Sequence, residues 1–360
     1  MSKCVYISAT EQDSGKTAVS MGLMHLLVGQ GLNPGYMKPV GQHYEEYFGS
    51  KVDEDAVLFH IVFGLKDNPS DMSPIAIERG FTEKFINKPD VRPLEKKIVD
   101  SYKKLSKEHD IVIVEGTGHA GVGSCFGLSN ARVAQILGAK VVIVATGGIG
   151  RPMDEIALSM ALFKQHNVEV IGVVLNKVLP EKFDKVHKTV SKGLKIFGTE
   201  LVGAIPFDNS LTTFTVGQLA EQLKYDVLFG KHFLSSRIEN IVVAAMRPEH
   251  SLKYIRKNTL VITPSDRYDA IKSSVKALKG YYPNIGGLML TGGFSTDAKS
   301  EKMLKDSGIP VLVSKSDTFS VSSAIAKLGF KIQSYEDDKI KKLYKLVKSS
   351  VDTKKILKTL

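Results

Sequence analysis

The stretch Ser8-Ala9-Thr10-Glu11-Gln12-Asp13-Ser14-Gly15-Lys16-Thr17 constrains this chain more than any other. It follows a short apolar run, Cys4 to Ile7. It precedes Val19, Leu23, Leu26 and Leu27, apolar positions at helical spacing. Gly15 lacks a Cβ, so the backbone there can close tightly around an anion. The loop N–H groups and the positive end of the following helix then face the same point, a place for phosphate. Lys16 can reach terminal phosphate oxygens, and the Thr17 hydroxyl can ligate Mg²⁺. The strict phosphate-loop pattern has glycine where Thr10 stands, so the assignment rests on context. The plain alternative is an ordinary strand-turn-helix connection that happens to contain Gly-Lys-Thr. The strand and helix on either side argue against it.

The remaining chain alternates apolar runs with helical patterns. Gly35 to Val40 reads as a second strand, with Pro39 limiting how far it pairs. Asp53-Glu54-Asp55-Ala56 opens a helix carrying Val57, Leu58, Ile61 and Val62, and its acids suit the positive helix end. Pro69, Pro74 and Pro89 mark an irregular insertion, and Arg92 to Lys107 a charged surface helix. Ile111-Val112-Ile113-Val114 is unbroken apolar sequence, as in a strand buried on both faces, and it ends in Glu115. Further strands are expected at Val141 to Ala145, Val168 to Leu175 and Leu201 to Ile205, with helices between them. This alternation predicts an α/β fold with a parallel sheet, and the phosphate loop makes it a nucleotide-binding one. Ligands of such sheets bind at the carboxyl ends of the strands. The phosphate loop, Lys38, Glu115, Gly147 and Asn176 all fall at such ends, so they are expected to share one site.

From Asp208 the pattern restarts on a smaller scale. Apolar runs at Ile241 to Ala245, Leu260 to Thr263, Gly287 to Leu290 and Val311 to Val313 alternate with helical segments such as Tyr268 to Leu278 and Lys299 to Asp306. They predict a second, smaller α/β domain. Two polar turns follow its strands, one with Asp266 and Arg267, the other with Thr291, Gly292 and Gly293. The expected division is therefore 1–207, 208–333 and a Lys-rich helical tail, 334–360. From Lys331 to Leu360 there are nine lysines against four acids, alternating with Ile340, Leu343, Leu346 and Val347, which reads as a solvated helix face.

Composition excludes more than it identifies. A net charge of +11 is the one unusual bulk property, and no basic-aromatic interleaving of the RNA-binding kind accompanies it, so nucleic acid is not an expected partner. No run of about 18 apolar residues indicates a membrane span. Met1-Ser2-Lys3 leads straight into a strand with no signal-peptide layout. Cys4 and Cys125 lack metal-ligand spacing, and Cys4 lies in an apolar strand; a reducing, cytoplasmic setting is expected.

Six positions are candidates to carry chemistry. Glu115 can sit opposite Thr17 and bind Mg²⁺ directly or through water, with Asp55 as a second contact. Lys38 is expected as a free cation near the terminal phosphate, able to hold an anionic substrate or neutralise transition-state charge. Asn176 can read an adenine edge with its paired donor and acceptor. His119 and Cys125 share one Gly-rich loop, but nothing supplies the group that would orient a Cys-His nucleophilic pair.

Ala9 to Thr17, Lys38-Pro39-Val40, Glu54-Asp55-Ala56, Val114-Glu115-Gly116, Val174-Leu175-Asn176-Lys177 and Ile205-Pro206 fall in the order seen in dethiobiotin synthetases, which the first part of the chain resembles. The resemblance implies ATP on Thr10, Asp13, Ser14, Gly15, Lys16 and Thr17, with adenine near Asn176 and Pro206. It implies Mg²⁺ at Thr17, Asp55 and Glu115, and a substrate or phosphate contact at Lys38. Ala9 departs from the family glycine, and Gly116 to Gly123 differs from the segment that forms the diamino-acid pocket. The chain is more similar to the dethiobiotin-synthetase-like N-terminal region of long phosphate acetyltransferases. Residues 208 to about 330 resemble the DRTGG domain that follows there, with Asp266, Arg267, Thr291, Gly292 and Gly293 at the matching positions. In that family the DRTGG domain looks regulatory or dimer-forming.

The resulting expectation is a Mg-ATP-binding protein with slow hydrolysis, coupled to a ligand-sensing or dimerising second domain, and a homodimer or higher homo-oligomer by analogy. The alternative is an ATP-dependent ligase that activates a carboxylate or carbamate, in which Lys16, Lys38 and Mg²⁺ would stabilise the moving phosphoryl group. Amidation of a cobyrinate-like acid lacks an ammonia source. Phosphate acetyltransferase activity is not expected of these residues alone.

Overall fold

In the computed structural model the described residues are 3–281, 284, 286–293, 298–328 and 331–360; Met1 and Ser2, expected to lead into the first strand, lie outside them. The chain divides into two units. The first comprises 1–207 and 332–360, the second 208–331.

The sheet of the first unit has six strands: β1 (Lys3–Ala9), β2 (Pro34–Met37), β3 (Ile111–His119), β4 (Lys140–Thr146), β5 (Val170–Val178) and β6 (Leu201–Pro206). Their order is β6-β5-β4-β1-β3-β2, and every pairing is parallel. Unbroken apolar strands suit such a sheet because helices cover it. Val5, Ile7, Ile113, Val114 and Val142 to Val144 are accordingly buried. The chain leaves β1 for the helix Lys16–Gly29, crosses to β2, and returns through the helix Arg92–Glu108 to β3, beside β1. It then passes to β4 on the other side of β1, so the direction of winding reverses at β1, where a crevice opens beyond the strand ends.

The second strand is shorter than expected. It ends at Met37, and Val40–Gly41 pairs instead with Ile75–Ala76. Pro39 has no N–H to continue a ladder, so pairing breaks there. The proline-marked insertion contains two short helices, Pro69–Met72 and Phe81–Asn87.

The Lys-rich segment is not a separate tail. It forms the helices Asp337–Ser350 and Thr353–Thr359, and both belong to the first unit. Ile340, Leu343, Val347, Val351 and Ile356 are buried. The Tyr344 ring stacks on His25 of the first helix at 3.7 Å, and a Cβ on Gly22 would stand 2.5 Å from Val347. Gly22 thus allows the two helices to approach closely at that point. Val351 bridges Gly203 at the edge of β6, and the Asp352 N–H donates to Val202. Most lysines do face solvent, as expected, but the same repeat lays an apolar stripe on the sheet unit.

The second unit has a five-stranded sheet of β7 (Asp226–Phe229), β8 (Asn240–Val243), β9 (Thr259–Pro264), β10 (Gly287–Thr291) and β11 (Val311–Val313). The order is β7-β11-β10-β9-β8, with β7 antiparallel at one edge. Residues alternate between its two faces. Val261, Leu288, Leu290 and Val311 pack with Ile271, Val275 and Leu278 of the helix Tyr268–Lys279. Leu260, Ile262, Met289 and Leu312 pack with Val216, Leu219 and Val321 from the helices Val216–Leu223 and Thr318–Ala326. Among the described residues no helix is long and apolar enough to cross a membrane.

Candidate functional site

The loop between β1 and the first helix adopts the conformation its residues require. Gly15 caps the helix at φ +90°, and Asp13 also lies in the left-handed region at φ +59°. Glycine takes that conformation freely, and aspartate more readily than most residues. The Ser14 hydroxyl donates to the Glu11 carbonyl at 2.9 Å, and the Thr10 N–H donates to Val144 at 3.1 Å, which ties the loop to β4. Thr10 Oγ1 is buried without a hydrogen-bond partner among the described residues.

Asn176, at the end of β5, closes the loop from behind. Its Nδ2 donates to the Ser14 carbonyl at 2.9 Å, and its Oδ1 accepts the Lys177 N–H at 2.9 Å. One N–H and one lone pair of the amide remain for a base edge. Lys177 extends the brace: its ammonium donates to the Asp13 carbonyl at 2.7 Å. Sequence reasoning gave Lys177 no role, because a lysine after a strand looks like any solvated surface charge. Pro206 ends β6 in register with Val178.

Lys38, Asp55, Glu115 and Thr17 converge beside the loop. Asp55 sits in the first turn of the helix Glu54–Phe63, and its N–H is held by the Asp53 side chain at 3.0 Å. Glu115 lies opposite Ile7 of β1 and is fully buried. The Thr17 hydroxyl donates to Glu115 Oε1 at 2.9 Å. Lys38 was expected as a free cation; it is instead buried and paired twice, at 2.6 Å to Asp55 Oδ2 and 2.9 Å to Glu115 Oε1. The reason is electrostatic: an ammonium this far from water requires counter-charge. Burial alone would lower its pKa, but Asp55 and Glu115 hold it well above the ordinary lysine value. Glu115 Oε2 accepts no well-formed hydrogen bond among the described residues, although the buried Tyr36 hydroxyl faces this carboxylate.

Lys16 is the contrasting case. It is buried, and among the described residues it makes no ion pair. Burial lowers its pKa, and Glu115 opposes the shift only in part. A buried cation without a direct partner, at the mouth of an anion loop, is placed to receive an anion.

The donor set fits Mg²⁺. That ion takes oxygen ligands and is commonly held by one or two carboxylates together with substrate phosphates. Thr17, Asp55 and Glu115 supply a hydroxyl and two carboxylates. Among the described residues no group of three His, Cys, Asp or Glu side chains is positioned to hold a metal alone. His119 accepts the Gly121 N–H through Nδ1 at 3.2 Å, and Cys125 is exposed; no described bond joins them.

In the second unit, the Asp266 and Thr291 turns follow the adjacent strands β9 and β10. Thr291 Oγ1 shares a 2.8 Å hydrogen bond with Thr318, and Gly292 and Gly293 both have positive φ. Arg267 pairs with Asp269 at 2.8 Å on the surface and holds that carboxyl down at about 2.

A parallel sheet wound in this order, with a glycine-closed anion loop leading from its central strand into the first helix, defines a P-loop domain of the nucleotide-binding class. The chain belongs to the AAA domain family AAA_26, whose model matches residues 3–215, and a DRTGG domain model matches residues 218–328. It is 29% identical over 366 residues to the phosphate acetyltransferase of Nitratidesulfovibrio vulgaris, covering 99% of this chain and 51% of that protein. Against the phosphate acetyltransferase of Synechocystis it is 25% identical over 367 residues, covering 99% and 52%. The chain thus spans about half the length of the curated relatives it matches. Among solved structures, the MinC:MinD cell division complex of Aquifex aeolicus aligns with 58% of this chain and 84% of that one, at 16% identity and TM-score 0.39. The CBS and DRTGG regulatory region of Clostridium perfringens pyrophosphatase, complexed with diadenosine tetraphosphate, aligns with 33% of this chain and 47% of that one, at 20% identity and TM-score 0.27.

Proposed function

We propose that the first unit binds Mg-ATP and that the protein is regulatory, with slow hydrolysis at this site and a ligand-sensing or dimerising DRTGG domain. The observation that carries the reading is the convergence of Thr17, Asp55 and Glu115 beside an anion loop whose one buried lysine, Lys16, has no ion-pair partner among the described residues. In this reading Lys16 and the loop N–H groups hold the phosphates, and Asn176 and Pro206 border the base. Thr17, Asp55 and Glu115 hold Mg²⁺, which supplies charge neutralisation at the phosphate oxygens. Slow turnover follows because both buried carboxylates are committed to cations rather than to a water. The DRTGG turn residues Asp266, Arg267, Thr291, Gly292 and Gly293 are the proposed second ligand site. A role beside acetyl-phosphate chemistry is supported by the kind of relative that shares this architecture.

The test is ATP binding and ATP consumption by the purified protein with Mg²⁺, with and without a panel of small carboxylic acids and amines. Measurable affinity with a slow, unstimulated rate is expected. Lys16→Ala binding ATP as well as the wild type would defeat the nucleotide assignment. Strong stimulation by one acid or amine would favour a ligase instead.

A further inference from the structure

The Lys38 ammonium and the Thr17 hydroxyl donate to the same oxygen, Glu115 Oε1, each at 2.9 Å, while Lys38 also holds Asp55 Oδ2 at 2.6 Å. The two carboxylates and the hydroxyl are the groups assigned above to Mg²⁺, and the inference rests on that reading. The side chains of Lys38, Asp55 and Glu115 are each no more than 5% exposed. Two carboxylates that deep do not persist without a cation between them, and a buried ammonium does not persist without an anion.

We propose that Lys38 is the resident counter-ion of the metal site: its ammonium and a divalent cation compete for the Asp55–Glu115 pair, and arrival of the metal releases Lys38 to an anion. The backbone permits this. The Lys38 N–H is fixed to the Met72 carbonyl at 2.7 Å and Pro39 follows, so the exchange is a movement of the side chain alone. A released ammonium needs a new partner, and the anion loop beside it is where phosphate would be. Metal without an anion therefore strands Lys38, and anion without metal leaves it committed to the carboxylates. Each ligand removes part of the other's cost, which is positive coupling between them.

The experiment is titration with Mn²⁺, followed by EPR of the free ion, on the full chain without nucleotide and again with ADP. The wild type is expected to bind Mn²⁺ weakly alone and much more tightly with ADP. Lys38→Met is expected to bind Mn²⁺ alone about tenfold tighter or more, because a neighbouring positive charge is gone. If that variant fails to fold with two uncompensated carboxylates, the pair Asp55→Asn and Lys38→Met/Asp55→Asn makes the same comparison, with the double variant again about tenfold tighter. Unchanged Mn²⁺ affinity on removal of Lys38, with ADP still binding the wild type, overturns the exchange and leaves the nucleotide reading standing. Tighter Mn²⁺ binding without Lys38, in a protein that binds no nucleotide, keeps the exchange and overturns the nucleotide reading.

Discussion

Asn176 donates its side-chain amide to the carbonyl of Ser14 at 2.9 Å, across 162 residues of sequence, and so fixes the back of the phosphate loop. A Cβ on Gly15 would stand 2.0 Å from that same Asn176 nitrogen, at a backbone φ of +90°. Gly15→Ala therefore meets two obstacles, a left-handed conformation costing about 1–2 kcal/mol for an L-residue and a clash that must expel Asn176. Loss of measurable ATP binding is expected for Gly15→Ala by calorimetry. Asn176→Ala, which removes one hydrogen bond of about 0.5–1.5 kcal/mol, is expected to weaken binding only a few-fold. Equal effects of the two would contradict the brace.

Lys16 gives the site a pH dependence of its own. Burial lowers its pKa below the ordinary lysine value, and a bound phosphate would raise it again. Nucleotide affinity is thus expected to fall as pH rises into the alkaline range, earlier than an ordinary lysine would allow, with proton uptake on binding there. Lys16→Arg keeps its charge at every accessible pH. Its affinity profile should be flat over the same interval in a fluorescent-nucleotide titration.

His109 gives the fold a second pH dependence of known sign. Its Nε2 lies 2.9 Å from both oxygens of Asp67, and that hydrogen bond raises its pKa against the opposing effect of burial. A histidine raised on folding stabilises fully below its ordinary value of about 6.5 and loses that contribution as pH climbs through the raised one. Urea midpoints are expected to fall as pH rises from mildly acidic to mildly alkaline, and less steeply in His109→Asn. A wild-type midpoint that rises over that window would refute the assignment.

Much of this architecture was legible in the sequence. The apolar runs that became β1, β3 and β4 fit a parallel sheet, and the strand-end rule brought Lys38, Glu115 and Asn176 to the loop, while Asp55 came from the acids that open a helix. Lys38 itself was misread, because a lysine at a strand end is ordinarily solvated. Its burial beside Asp55 of the helix Glu54–Phe63 and Glu115 of β3 makes it an ion-paired core residue. The Lys-rich segment was legible as a helix with a solvated face, but its place on the first unit was not. Lysine stems and heads at the edges of an apolar stripe can cover it or flank it, and composition does not say which.

Leu343 tests that packing. It is buried in the helix Asp337–Ser350, so Leu343→Ala is expected to cost about 2–5 kcal/mol. The loss should appear as a lower melting temperature of the first unit. A near-neutral change would mean that the helix contributes little to the fold.

The stacking of Tyr344 on His25 also dictates an order of events during synthesis. The ribosome must complete the whole of 208–331 before the helix that covers Gly22 and His25 exists. At about 5–20 residues per second, that interval is on the order of ten seconds. Throughout it the first helix has an uncovered flank, and the first unit waits for residues 337–350 to be made before that flank is closed.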